Sequence, residues 1–239
     1  MLEHPEHNGF GGRIKSINNK SPNPFRVRQV RPVNTPEIER IVDLCRRGGR
    51  WVTMRECGRV EHGSLSLPLL GLRLGAADPS APTLGLFGGV HGLEQVGSHV
   101  VLSVLEALVA RLAWDRELQQ QLERARIVAM PVINPLGLAL RTRSNANGVD
   151  LMRNAPVDAE GRPTPLVGGH RIASWLPWYR GPEGAPMQTE SQALMDFVES
   201  EMFSSSFAIA LDVHSGFGTS DRLWYPYARR QGGYEREPE

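Results

Sequence analysis

Three stretches of this chain are almost wholly apolar, and each runs into glycine, asparagine or histidine: APTLGLFGGV from Ala81, RIVAMPVINP from Arg126 and FAIALDVHSGFG from Phe207. Short apolar runs bounded by such residues predict strands covered on both faces, the first of them central to a sheet. From Glu94 to about Leu112 the pattern changes: Val96, Val100, Val101, Val104, Leu105, Leu108 and Leu112 recur at helical spacing, which predicts an amphipathic helix. RELQQQLERA extends or follows it, and another helix is expected from about Glu190 to Met202, after a long irregular region.

Upstream, NTPEIERIVDLCRRGG carries the marks of a short helix. Thr35 is the expected N-cap, Pro36 takes the first helical position, acids fill the first turn, arginines the last, and glycines stop it. WVTMRECGRV and LSLPLLGLRLG then read as a hairpin turning near His62 and Gly63. Residues 1–34, rich in Asn, Pro, Gly and basic side chains without sustained periodicity, are expected to be extended or partly disordered, so the folded domain is expected over 35–239. Strands alternating with helices and ending in polar residues argue for an α/β sheet with ligands at the carboxyl ends of its strands.

Size agrees with one large domain: 239 residues, 40% of them apolar and 22% charged, can bury a substantial core. A formal charge of +1, from 27 basic against 26 acidic residues, offers no field for nucleic acid or an anionic membrane. Cys45 and Cys57 are too few for a disulfide framework and are expected to be reduced structural thiols. No run reaches the roughly 20 apolar residues that span a bilayer, and the start lacks the apolar middle of a signal peptide, so a cytoplasmic location is expected.

The chemistry gathers at the strand ends. His91 and Glu94 stand three positions apart after the first apolar run, and His214 follows the third. Two imidazoles and a carboxylate suit a catalytic zinc, which keeps a fourth position for water; the close pair lets one loop hold two ligands while the third ties a distant strand to the same ion. Each residue also has an ordinary reading: a solvated loop histidine before a glutamate favoured by a helix dipole, and a hydrogen-bonded core histidine after a strand.

GGVHGLEQVGS, INPLGLALRTRSNANGVDLMRN and LDVHSG, taken together and in this order, resemble the motifs of the zinc metallocarboxypeptidases over residues from about 36 to 226. The resemblance implies a three-layer α/β/α sandwich with a mixed, mostly parallel sheet, and hydrolysis of a peptide bond at one zinc ion held by His91, Glu94 and His214. It also implies that Arg143 stabilises the negatively charged intermediate, that Arg153 binds the terminal carboxylate of a peptide, and that Asp150 orients a ligand histidine. Without the flanking Gly-Val-Asp, the two arginines read as solvated loop residues and Asp150 as a turn cap. His99 and His170 are left structural, and WLPWYRGPEGAP reads as a packed loop.

Two departures bear on substrate. Met152 replaces the asparagine that usually precedes Arg153 and has no amide to donate to a carboxylate, which gives weight to an N-acyl amino acid substrate and a deacylase of the aspartoacylase and succinylglutamate desuccinylase type. The family's general-base glutamate and substrate-binding tyrosine lie well downstream of the last ligand. No general base is identifiable here: Glu235, Glu237 and Glu239 sit in a polar tail, and Tyr225, Tyr227 and Tyr234 are unassigned. The chain is therefore expected to be a shortened form of a longer enzyme, lacking its C-terminal strands and exposing a sheet edge. A non-catalytic module that binds metal and carboxylate is the reading from another class. A serine hydrolase is disfavoured because no Gly-x-Ser-x-Gly elbow occurs.

Overall fold

The structure, a computed structural model, describes residues 35–157 and 164–215. Helix α1 (Pro36–Gly48) has the expected proline start, early acids and late arginines. Thr35 caps it only through its carbonyl, which accepts from Ile38 and Glu39 N–H groups, and not through its side chain. Strands β1 (Val52–His62) and β2 (Leu65–Gly75) form the expected hairpin, and the extra residue Cys57 makes a bulge between Glu56 and Gly58. Both cysteines are free thiols.

Then follow β3 (Thr83–Gly88), α2 (Gln95–Arg111), α3 (Arg116–Leu122), β4 (Arg126–Met130), α4 (Pro135–Leu140), α5 (Thr189–Met202) and β5 (Ala208–Val213). The RELQQQLERA segment is thus a separate helix, bent away from α2 by 115°. Among the described residues no single helix is long and apolar enough to cross a membrane.

Strand order is β1-β2-β4-β3-β5. β1/β2 and β2/β4 pair antiparallel, while β3 runs parallel to both β4 and β5. The sheet is mixed, with parallel pairing confined to the part that carries the chemistry. Alternation along the strands splits the core in two. Leu70, Leu72 and Leu74 of β2, Leu86 of β3 and Ala129 of β4 pack with Ile41 and Leu44 of α1 and Val101, Leu102 and Leu105 of α2. Leu69, Phe87, Val128 and Met130 point the other way, against Ala193, Phe197 and Met202 of α5. That is the three-layer sandwich.

Two expectations of burial are corrected. β5 was expected to be covered on both faces; it is an edge among the described strands, with Ile209 47% and Leu211 39% exposed. Helix α2 is apolar around most of its circumference: Val101, Leu102, Leu105 and Val109 are buried, whereas Val96, Val100 and Val104 face outward. Periodicity found the helix, but its apolar stripe is wider than the single face the sheet covers.

Candidate metal centre

The site is built where β3, β4 and β5 end. After β3 the chain turns at Gly89 (φ 67°), and a turn closed by the Glu94 N–H on the His91 carbonyl (3.1 Å) holds both side chains on one loop. The loop lies against the end of β4, where Ile133 and Asn134 N–H groups donate to Gly88 and Gly89 carbonyls. Asn134 then caps α4, accepting from Gly137 N–H at 2.8 Å and donating to the Val90 carbonyl, and Pro135 fills the first helical position. A Cβ at Gly92 would overlap the backbone of Gly137, so these two glycines let α4 touch the ligand loop. This explains the Asn-Pro-x-Gly run in mechanical terms; the six-residue α4 itself is too short for periodicity to reveal.

His214, one residue beyond β5, completes the group: one ligand atom each from His91, Glu94 and His214 lie within 4.8 Å of one another. The two imidazole rings meet edge to face, centroids 5.0 Å apart. His91, 3% exposed, presents Nδ1 to Glu94 Oε1 and Nε2 to Asp150 Oδ1, both at 2.9 Å. Asp150 has no solvent exposure. Burial pushes its carboxyl up, but the hydrogen bond from His91 and the charges of His91, Arg143 and Arg153 outweigh it, holding Asp150 below the ordinary aspartate range. It also accepts from Met152 N–H at 3.1 Å, capping the 3₁₀ turn Leu151–Arg153, so the turn-cap and histidine-partner readings both hold.

His214 Nδ1 meets Asp212 Oδ2 at 2.7 Å. Burial opposes its charge, yet the hydrogen bond to Asp212 and the fields of Asp212 and Glu94 prevail and raise it above the ordinary histidine value. Glu94 Oε2 and His214 Nε2 are buried and meet no hydrogen-bond partner among the described residues, atoms whose desolvation goes uncompensated unless something binds between them. Two imidazoles and a carboxylate so arranged fit a zinc ion, with His91 Nε2 left to donate to Asp150.

Arg143 stands closer to the ligands than the sequence suggests. Its Nη1 donates to Glu94 Oε1 at 2.9 Å and its Nε to Asp150 Oδ2 at 3.2 Å, so it bridges the ligand carboxylate and the buried acid. Arg153 lies three residues past Asp150 and donates from Nε to the Val167 carbonyl at 3.0 Å. Residues 1–34 and the tail holding Tyr225, Tyr227, Tyr234, Glu235, Glu237 and Glu239 lie outside the described residues.

Sequence reasoning missed a buried polar knot behind the site. Asn145 accepts from Asn147 and Val149 N–H groups, each at 3.0 Å, and donates to Gln188 Oε1 and Glu190 Oε2. It thereby ties the loop carrying Asp150 to the start of α5. Burial raises Glu190 above the usual glutamate value, against the smaller pull of its backbone hydrogen bond and Asn145. A raised value means that the folded state binds this proton more tightly than the unfolded one. Stability is then full below the ordinary glutamate range and falls as pH rises toward the raised value. Glu190→Gln keeps an acceptor for Asn145 and is expected to remove that fall, so the variant gains on the parent with rising pH. Urea melts at several pH values check this, and parallel stability curves for the two proteins would contradict it.

Other residues fall out differently. His99 pairs with the buried Glu37 at 3.0 Å and His170 Nε2 meets the Pro177 carbonyl at 2.8 Å. WLPWYRGPEGAP is less packed than expected, because Trp175 is 80% exposed.

Fold and donor set define a mixed α/β protein with three side chains at its strand ends that could together hold a metal ion. The family model for zinc carboxypeptidase matches residues 18–237, and the chain belongs to that family. Mouse carboxypeptidase D is 26% identical over 177 residues, covering 69% of this chain and 11% of that protein. Carboxypeptidase SOL1 of Arabidopsis thaliana is 36% identical over 75 residues, 31% of this chain and 15% of that one. Among solved structures, a metallo-carboxypeptidase from Burkholderia cenocepacia matches with TM-score 0.52 at 18% identity over 74% of this chain and 40% of its own. Thrombin activatable fibrinolysis inhibitor matches with TM-score 0.55 at 19% identity over 71% of this chain and 44% of its own. These likenesses show the shared fold, and the chain spans less than half the length of each of these relatives.

Proposed function

We propose that the protein is a zinc-dependent carboxypeptidase that releases the C-terminal residue of a peptide. The observation that supports this reading most directly is the convergence of His91, Glu94 and His214, with Glu94 Oε2 and His214 Nε2 buried and without a hydrogen-bond partner among the described residues, in a chain of the zinc carboxypeptidase family. A zinc ion held by the three side chains would polarise the scissile carbonyl and lower the pKa of a bound water. The protein's own residues supply the rest. Asp150 accepts from His91 Nε2 and fixes the ring so that Nδ1 faces the centre. Arg143, whose guanidinium donates to Glu94 and Asp150, would stabilise the negative charge that the carbonyl oxygen gains. Arg153 meets the substrate's terminal carboxylate.

In this reading Arg143→Ala lowers kcat by about 10²–10³-fold, the cost of one lost oxyanion donor, while KM changes far less. The experiment is mass spectrometry of blocked peptides and N-acyl amino acids incubated with zinc-loaded protein. Loss of single C-terminal residues is the expected result. Cleavage of the N-acyl amino acids alone would replace the peptidase by a deacylase, and binding without turnover of either would leave a non-catalytic module.

A further inference from the structure

Asn147 and Gly148 follow one another in the loop that carries Arg143 and Asp150. Gly148 has φ 77°, and a Cβ there would come within 2.6 Å of the Ser174 carbonyl oxygen, so the turn requires glycine. Asn147 is exposed, and its Nδ2 donates to Gln188 Oε1 at 2.8 Å. Asparagine is a thermolabile residue, most of all before glycine, where no side chain hinders attack of the next backbone nitrogen on the amide. We propose that this pair is a deamidation site, held back in the folded protein by Gln188 and Asn145, whose product slackens the support of the metal centre. The consequence for metal rests on the zinc reading above.

The step balances with water alone. Gly148 N gives its proton to solvent and its electron pair forms a bond to Asn147 Cγ. The Cγ–Nδ2 bond breaks, and Nδ2 takes a proton from solvent and leaves as ammonia. Water then opens the succinimide, its hydroxyl adding to either ring carbonyl carbon and its proton returning to Gly148 N. Aspartate or isoaspartate results, one water in and one ammonia out, with no change of oxidation state.

Two contacts oppose ring closure. Gly148 N–H is engaged by the Asn145 carbonyl at 3.0 Å, and closure expels the Nδ2 that Gln188 holds. Gln188 is itself fixed: its backbone N–H donates to Asn154 Oδ1 at 2.7 Å, and its Oε1 also accepts from Asn145 Nδ2 at 3.0 Å. In the product, a carboxylate oxygen replaces Nδ2 and faces Gln188 Oε1, two acceptors with no proton between them. If Gln188 turns its amide over to donate to that carboxylate, its NH₂ faces the donors of Asn145. Either way the knot between this loop and α5 loses a hydrogen bond, and isoaspartate adds a backbone atom to a turn closed by Val149 N–H on Asn145 Oδ1. Val149 immediately precedes Asp150, the acceptor for His91 Nε2.

The native parent, its Gln188 variants and the parent unfolded in guanidinium chloride are aged at neutral pH, and the tryptic fragment 144–153 is sequenced by mass spectrometry. Asn147 is expected to convert at least about tenfold more slowly in the native parent than in the unfolded chain, as two hydrogen bonds to be broken warrant. Gln188→Ala is expected to bring the native rate most of the way to the unfolded one, and Gln188→Glu, which keeps an acceptor oxygen, to stay near the parent. Equal rates in native and unfolded parent, or conversion at Asn145 ahead of Asn147, overturn the site. A Gln188→Ala rate equal to the parent's overturns the restraint. Asn147→Asp stands in for the product and is expected to bind zinc about tenfold more weakly, the low end of what disturbing a ligand's hydrogen-bond partner costs. Its Tm is expected to fall by roughly 2–4 °C, the shift that loss of one hydrogen bond gives a domain of this size. Unchanged zinc affinity overturns the link to the metal centre, and an unchanged Tm the slackening of the loop. A parent that binds no zinc removes the zinc reading and with it that link, while the ageing rates still decide the site.

Discussion

Zinc content is expected to fall from about one ion per chain to background in both His91→Ala and His214→Ala, measured by elemental analysis of purified protein. Each change removes one of three donors held within 4.8 Å, and a carboxylate with one imidazole is a poor zinc site. The two variants differ in what else they disturb. His91 is buried and hydrogen-bonds both Glu94 and Asp150, so its loss also leaves the fully buried Asp150 short of a partner and is expected to destabilise the metal-free protein. His214 is 24% exposed in its side chain and is expected to cost little without metal. Asp150→Asn separates orientation from ligation: it keeps the shape but weakens the acceptor for His91 Nε2, and zinc affinity is expected to drop about 10–100-fold. Full zinc occupancy in His214→Ala would remove that residue from the site, whatever the family pattern implies.

Gly97→Ala is expected to be among the most damaging single substitutions in the chain. Alanine in a helix interior is ordinarily worth about 1 kcal/mol over glycine, and Gly97 is the third residue of α2. Here packing reverses the sign, because a Cβ at Gly97 would overlap the Val213 carbonyl oxygen, and neither backbone can yield without moving a strand or a helix. Overpacking of this kind costs on the order of 3 kcal/mol, which against the propensity gain leaves a net loss of about 2 kcal/mol and lowers Tm by roughly 4–8 °C for a domain of this size. Val213 immediately precedes His214, so the strand that must retreat carries a ligand with it, and weaker zinc binding is expected alongside the lower Tm. A thermal melt in which the variant matches or exceeds the parent would show that α2 and β5 are free to separate.

That contact marks the limit of what the chain discloses by itself. The hairpin, α1, the three apolar strands and the spacing of His91 and Glu94 are local features, written in periodicity, caps and turn residues within a few positions of one another. They suffice for an α/β layout with chemistry at the strand ends, and the family's motifs name all three members of the donor cluster found in the structure. Nothing local places β4 between β2 and β3, leaves β5 on an edge, or exposes the Val96, Val100 and Val104 side of α2, because strand order and burial are settled by partners distant in the chain.

The same holds for the site's supporting groups. Asp150 meets His91, Asn145 meets Glu190, and Asn147 meets Gln188 only once loops after β4 fold back across the sheet end. Residue types and their spacing determined which atoms are available as ligands. Tertiary packing, through contacts close enough to exclude even a methyl group at Gly92 and Gly97, decided which of them converge and which are left buried without a partner.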